Sequence, residues 1–356
     1  MEKLPFASDY MDGMHPAILK RLEETNDARE PGYGFDRYCG EAAEKIRLAC
    51  RCSGAAVHFI AGGTLTNALA IDACLNSTEG VVAASTGHIA LHEAGAIEHD
   101  GHKVIELPQE RGKLSAAVLE PYLRGFFGDE NRLYMTAPKM VYLSQPTEYG
   151  TLYSLRELEA IRALCDRFGL LLYLDGARLA YALAAKENDV TLPDLARLCD
   201  LFYIGGTKCG AFLGEALVIP KPETAPRILT LKKQHGALLA KGRLMGLQFD
   251  ALFTDGLYER LGKPAVEAAD RIRKALAANG FELYMKNPTN QVFTVWENDR
   301  LPALGEKVAY GYWEAAGEKR SVIRFAAGWS VRKEDVDALI GLLEQEAIRK
   351  KEKTHE

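Results

Sequence analysis

The sequence carries no surplus of either charge: 44 lysines and arginines stand against 49 aspartates and glutamates, a net −5 over 356 residues. Without a basic excess there is no electrostatic footprint for nucleic acid. No apolar run reaches the roughly 18 residues a membrane helix needs, and the opening MEKLPFASDYMDG lacks the apolar stretch of a secretory leader. The seven cysteines fall at irregular spacings in a long chain, which is not how a disulfide framework is built. Cys50 and Cys52 stand too close together for a CxxC pair, and no cysteine–histidine group has zinc spacing, so no metal site is expected. Internal repeats are absent as well. What remains is ordinary globular composition, 47% apolar and 26% charged with 32 glycines. Its length suggests two domains with at least one sizeable core. A soluble, reduced, cytoplasmic protein is expected, with no nucleic-acid or membrane partner.

Short apolar runs alternate with helical patterns from about residue 40 to 220. KMVYLS (139–144) reads as a strand. The next segment, SLRELEAIRALCDRFG, is a helix with a Ser154–Glu157 capping box and a closing Gly169. LLLYLD (170–175) is an apolar strand, LPDLARLCD a short helix and LFYIGG another strand. Such alternation, with strands apolar throughout, signals an α/β fold whose mostly parallel sheet is covered on both faces. Ligands bind such sheets at the carboxyl ends of the strands. That rule puts Asp175, Gly205–Lys208 and the SQPTEYG segment on one rim. Beyond about residue 246 the texture changes to amphipathic helices (KPAVEAADRIRKALAANGFEL, VDALIGLLEQEAI) and half-exposed strands (NQVFTVWE, SVIRFAAGW). The expected division is a large domain over 1–245, including the N-terminal segment, and a smaller α+β domain over 246–356.

Four features on the rim carry chemistry. Lys208 sits in the glycine-rich GGTKCG between two apolar strands. It reads either as a solvated loop lysine or as a Schiff-base lysine whose partial burial lowers its pKa. On the second reading Gly205, Gly206 and Gly210 let a cofactor approach the backbone. Asp175 reads either as a cap for the following helix or as the carboxylate that keeps a pyridine nitrogen protonated. Lysine and strand-end aspartate together are the pair pyridoxal phosphate requires. In FIAGGTLTNALA, Gly63 and Thr64 open a helix whose free N–H groups suit a phosphate, though an ordinary βα turn has the same pattern. No Gly-Lys-Ser/Thr follows, so this is not a nucleotide-triphosphate loop. His88 in STGHIALHEAGA is either a satisfied loop histidine or a residue that stacks on the pyridine ring and moves protons.

ASDYMDGMHP, PGYG, AGGTLTNALA, GHIALHEAGA, LYLDGARL, GGTKCG and IRF occur in the order seen in L-threonine aldolases. The chain therefore resembles that family of fold type I, pyridoxal-phosphate-dependent transferase-like enzymes over nearly its whole length. LSQPTEYGTLYSLRELEAI is most similar to the phenylserine aldolase-like, low-specificity branch. The resemblance implies that Lys208 forms the Schiff base, Asp175 pairs with the ring nitrogen and His88 stacks on the ring. Gly63 and Thr64 would hold the phosphate; Ser8, Arg178 and Arg324 would receive the substrate carboxylate, with Arg178 also bordering the cofactor; Tyr33 would line the pocket. Lys233 and Lys241 match positions that reach a phosphate across a subunit interface, which implies a homodimer or homotetramer.

The implied reaction is retro-aldol cleavage of a β-hydroxy-α-amino acid to glycine and an aldehyde. A β-eliminating lyase or an aminotransferase would use the same residues, and a non-catalytic protein on this fold is the rival from another class. Two departures stand out. Ala7 replaces an arginine of the family, and Pro146-Thr147-Glu148-Tyr149 replaces a Thr-His-Asn whose histidine handles the substrate's β-hydroxyl. Glu93, Glu148, His88 or a water could serve as base in its place.

Overall fold

A computed structural model describes residues 3–354. Among these residues the first of twelve strands, β1 (Leu4–Phe6), belongs to a small sheet, and the next seven form a large one. These are β2 (Ala56–Ile60), β3 (Glu79–Ala84), β4 (Lys103–Leu107), β5 (Ala137–Ser144), β6 (Leu171–Asp175), β7 (Leu201–Gly205) and β8 (Glu215–Ile219), in the order β2-β8-β7-β6-β5-β3-β4. β4, β3, β5, β6 and β7 run parallel, while β8 runs against both of its neighbours.

The apolar runs are explained by helices on both faces. Met140 and Tyr142 of β5 and Tyr173 of β6 point into a core shared with Leu69 and Ile71 of the helix Gly63–Cys74. The alternate residues Val141, Leu143, Leu172 and Leu174 join Leu158 and Ile161 of the helix Leu155–Phe168 on the other face. That second helix begins at the expected Ser154–Glu157 capping box and ends at Gly169, which is left-handed at φ 71°.

The small sheet has the order β1-β11-β12-β10-β9, formed with β9 (Glu282–Leu283), β10 (Gln291–Glu297), β11 (Val308–Ala315) and β12 (Arg320–Ala326). The helices Lys263–Ala278 and Lys333–Thr354 pack against each other beside it. Two features depart from the expected division at 245/246. β1 pairs in parallel with Val308–Tyr310 of β11, so strand pairing ties the N-terminus to the small sheet. Residue 246 lies inside the unbroken helix Arg243–Leu252, which packs on the helix Arg37–Ala49; the change of texture falls after that helix, ahead of Lys263. Composition alone could not show either, because a three-residue strand has no readable period and the helix is apolar enough to suit both cores. No described helix is long and apolar enough to cross a membrane.

Candidate active site

Parallel strands bring their carboxyl ends to one rim. Ser144 of β5 and Asp175 of β6 are register partners there, and Gly205 ends β7 beside them. The hairpin from β7 into β8 carries Lys208, whose carbonyl accepts the Tyr181 hydroxyl at 2.5 Å. Its glycines serve the protein's own backbone. A Cβ on Gly205 would strike the Ala177 carbonyl, and one on Gly206 the Gly214 carbonyl. The half-buried Lys208 amine is held below the usual lysine range, first by burial and then by the Arg178 charge. Asp9, Asp175 and Glu215 pull it the other way without restoring it.

Asp175 is 4% exposed and densely solvated by the protein. Its Oδ2 accepts from Tyr142 Oη at 2.6 Å and Asn67 Nδ2 at 3.1 Å, and its Oδ1 accepts from the Ala177 N–H at 2.9 Å. Burial pushes this carboxyl up, but the His88 charge and the Tyr142, Tyr203 and Ala177 donors more than offset it, so it stays ionised. Asn67 also donates to Glu93 Oε1 at 2.7 Å, and that oxygen lies 2.8 Å from His88 Nδ1. A buried chain of polar groups thus joins Asp175 to His88. The His88 backbone N–H donates to Glu148 Oε1 at 2.9 Å, as does the Ser144 hydroxyl at 2.7 Å. Gly63, His88, Glu148, Asp175, Arg178 and Lys208 all line one cavity.

The remaining expected residues are distributed unevenly. Arg178 reaches the cavity, but its Nε and Nη2 grip Asp9 at 2.6 and 2.9 Å, and the pair is buried. The side chain expected to receive a substrate carboxylate therefore already holds one, with Nη1 left over. Arg324, on β12, donates to Gln291 Oε1 at 2.9 Å and to the Ala7 carbonyl at 3.0 Å over the Trp313 ring. Its buried Nε has no partner. Burial, followed by the nearby Arg178 charge, lowers its pKa to about 10. Ser8 lies in a neighbouring groove with Asp12 and Arg332, outside the Lys208 cavity. Thr64 stands at an adjoining cleft that shares Gly63 and Glu93 with that cavity. Tyr33, Lys233 and Lys241 lie on a different surface. The Lys233 amine sits 4.7 Å from the Tyr33 ring centre, and Tyr33 borders a cavity with Phe35 and Lys232.

Sequence reasoning missed Asn67, Asp9 and Glu215. Asn67 lies one helical turn beyond Gly63, so it faces the same way as the helix opening, a signal that was available. Asp9 directly follows Ser8 but gives no local cue of its partner 169 residues away. Glu215 opens β8, where its Oε2 accepts from the Gly206 N–H at 2.8 Å; burial raises its carboxyl to about 7. Among the described residues no acidic, histidine and cysteine cluster could hold a metal ion.

Comparison with known proteins identifies the relatives of the whole chain. The low specificity L-threonine aldolase of a Pseudomonas strain is 30% identical over 338 residues, covering 94% of this chain and 95% of its own length. The structure of Leishmania major threonine aldolase superposes with a TM-score of 0.93 at 40% identity, covering 96% of this chain and 99% of the other. A Thermus thermophilus aspartate aminotransferase variant, 14% identical with a TM-score of 0.69 over 97% and 91% of the two chains, shares the fold. Residues 6–298 match the profile of the beta-eliminating lyases, and the chain belongs to that family.

Proposed function

We propose that this protein cleaves β-hydroxy-α-amino acids to glycine and an aldehyde with pyridoxal phosphate held at the Lys208 cavity. The observation that carries the reading is Lys208 and an ionised, buried Asp175 lining one cavity, in a chain similar along its length to threonine aldolases. The residues fit the cofactor. Asp175 Oδ1 accepts from the Ala177 N–H and, as a carboxylate oxygen with two lone pairs, keeps capacity for a pyridinium N–H. The first N–H groups of the helix Gly63–Cys74 have no acceptor within the helix and suit a phosphate. His88 is fixed through Nδ1 and its backbone N–H, so its ring can lie flat against a planar group. Bound there through Lys208, pyridoxal phosphate supplies an electron sink for the pair released at the amino acid's α-carbon.

The chain's own residues do the rest. The Lys208 amine, lowered by burial, is easily deprotonated for nucleophilic attack. Arg324, its guanidinium oriented by Gln291 and the Ala7 carbonyl, binds the substrate carboxylate, and Arg178 Nη1 helps from the other side. Holding the carboxylate fixes which bond of the α-carbon points away from the ring, a positioning effect. The exposed Tyr33, Phe35, Leu229 and Leu239 surround the Lys233 surface. We assign this patch to contact with a second copy, through which Lys233 and Lys241 reach the partner's phosphate site in a homodimer or a tetramer of dimers. Localisation in the cytoplasm accords with seven free cysteines.

Borohydride reduction of the yellow protein should fix the cofactor on Lys208, and threonine should yield acetaldehyde and glycine. An adduct on another lysine, or ammonia and keto acid as products, would refute the reading.

A further inference from the structure

We propose that Glu148 is the base that removes the proton from the substrate's β-hydroxyl. Three carboxylates line the cavity, and their surroundings separate them. Asp175 accepts from Tyr142, Asn67 and Ala177, and its remaining acceptor capacity is matched to the ring nitrogen. Glu93 gives Oε1 to Asn67 and His88, and its Oε2 is sealed in the protein without any partner. It can orient His88 but cannot meet a substrate. Glu148 differs. Its Oε1 is anchored by the Ser144 hydroxyl and the His88 N–H, while Oε2 accepts from no other residue of the protein and is not among the sealed atoms. One oxygen locates the group and the other is available to the cavity. Burial raises this carboxyl above the usual range, which brings its basicity closer to that of a useful general base. His88 is less suited, because Nδ1 is tied to Glu93 and its ring is placed to stack.

The inference rests on the aldolase reading. In the step, Glu148 Oε2 takes the hydroxyl proton, the oxygen's electrons form the aldehyde C=O, and the Cα–Cβ bond breaks. Pyridoxal phosphate, which Lys208 and Asp175 would hold, would supply the sink for that bond's electron pair, and a proton returned to Cα gives glycine. Proton and electron pair are both accounted for.

The experiment compares wild type, Glu148→Gln and Glu148→Asp as holoenzymes. It reads threonine cleavage by aldehyde release, glycine affinity by spectral titration, and exchange of the glycine α-proton into deuterated water by NMR. Glycine has no β-hydroxyl, so its binding and exchange do not need this base. In Glu148→Gln cleavage should fall about 10²-fold or more while affinity and exchange stay within about threefold. Glu148→Asp, one methylene shorter, should cleave at an intermediate rate with full exchange, and carries the comparison alone if the Gln variant does not fold. A cleavage loss below about tenfold in both variants, or a parallel loss of exchange and cleavage, would overturn the assignment. Wild-type protein that exchanges the glycine proton yet releases no aldehyde would overturn the aldolase reading itself, and this proposal with it.

Discussion

Replacing Asp9 tests whether the buried pair with Arg178 holds the two sheets together. The Asp9 side chain is fully buried and that of Arg178 is 11% exposed, so removing the carboxylate leaves a cation without its counterion in a dry site. Breaking such a pair costs about 3–5 kcal/mol. Asp9→Ala also removes one of the two acceptors of Asn290 Nδ2, bonded at 2.8 Å, leaving the Ala327 carbonyl, so the middle of that range is expected. Burial would raise the Asp9 pKa, but Arg178, with Lys208 and Arg324, more than offsets this and lowers it from 3.8 to about 2. A depressed carboxyl stabilises the fold above its unfolded pKa and loses that contribution as pH falls through its folded one. The ionisation of Asp9 is therefore worth about 2 kcal/mol at neutral pH and nothing well below pH 2. The assay is urea unfolding of wild type and Asp9→Asn at several pH values. Asparagine keeps the shape, so the gap between the two should be full above pH 4 and shrink on going down toward pH 2. A gap that does not change over that window would mean the carboxylate's charge contributes nothing, and the reasoning would fail.

Asp175→Asn keeps the shape and one acceptor oxygen, for either Tyr142 or Ala177, but removes the charge; turnover should drop roughly 10²-fold, about 3 kcal/mol of barrier, with an unchanged circular dichroism spectrum. Arg324→Lys loses the planar fork that Gln291 and Ala7 orient, so the glycine dissociation constant should rise about tenfold or more while bound cofactor remains. Gly246→Ala puts a methyl 2.5 Å from Cys39 Sγ and 2.7 Å from its Cα, where two helices cross; overpacking of this kind should cost about 1–3 kcal/mol in denaturant unfolding.

The large sheet was legible because its strands are covered on both faces and so read as unbroken apolar runs, punctuated by a capping box at Ser154 and a glycine stop at Gly169. Legibility failed where the determining contact is remote. β1 has three residues and exists because β11, some 300 residues later, offers it an edge. Lys208 and Asp175 could be paired on paper because Asp175 closes one readable strand and Lys208 follows closely after the end of another at the same rim. The glycines around Lys208 were read as room for a ligand, yet their reason is the close passage of the Ala177 and Gly214 carbonyls. Sequence identifies a glycine; only the fold says what occupies the space beside it.

The residue a local pattern could least reveal decides the electrostatics of the site. Asp9 feels Arg178, Lys208 and Arg324 together, so one carboxylate faces three basic groups. Arg178 is satisfied by it in two-pronged fashion, and Lys208 yields by losing basicity. Arg324 has no carboxylate partner of its own. It holds neutral acceptors only, keeps a buried Nε without a partner, and is driven down to about 10 by burial and by Arg178. A guanidinium so placed gains more from an arriving anion than one already paired, since the anion meets a charge whose desolvation has been completed during folding. The carboxylate role we propose for Arg324 rests on this difference: Asp9 fills the two-pronged anion position at Arg178, while Arg324 holds neutral acceptors only.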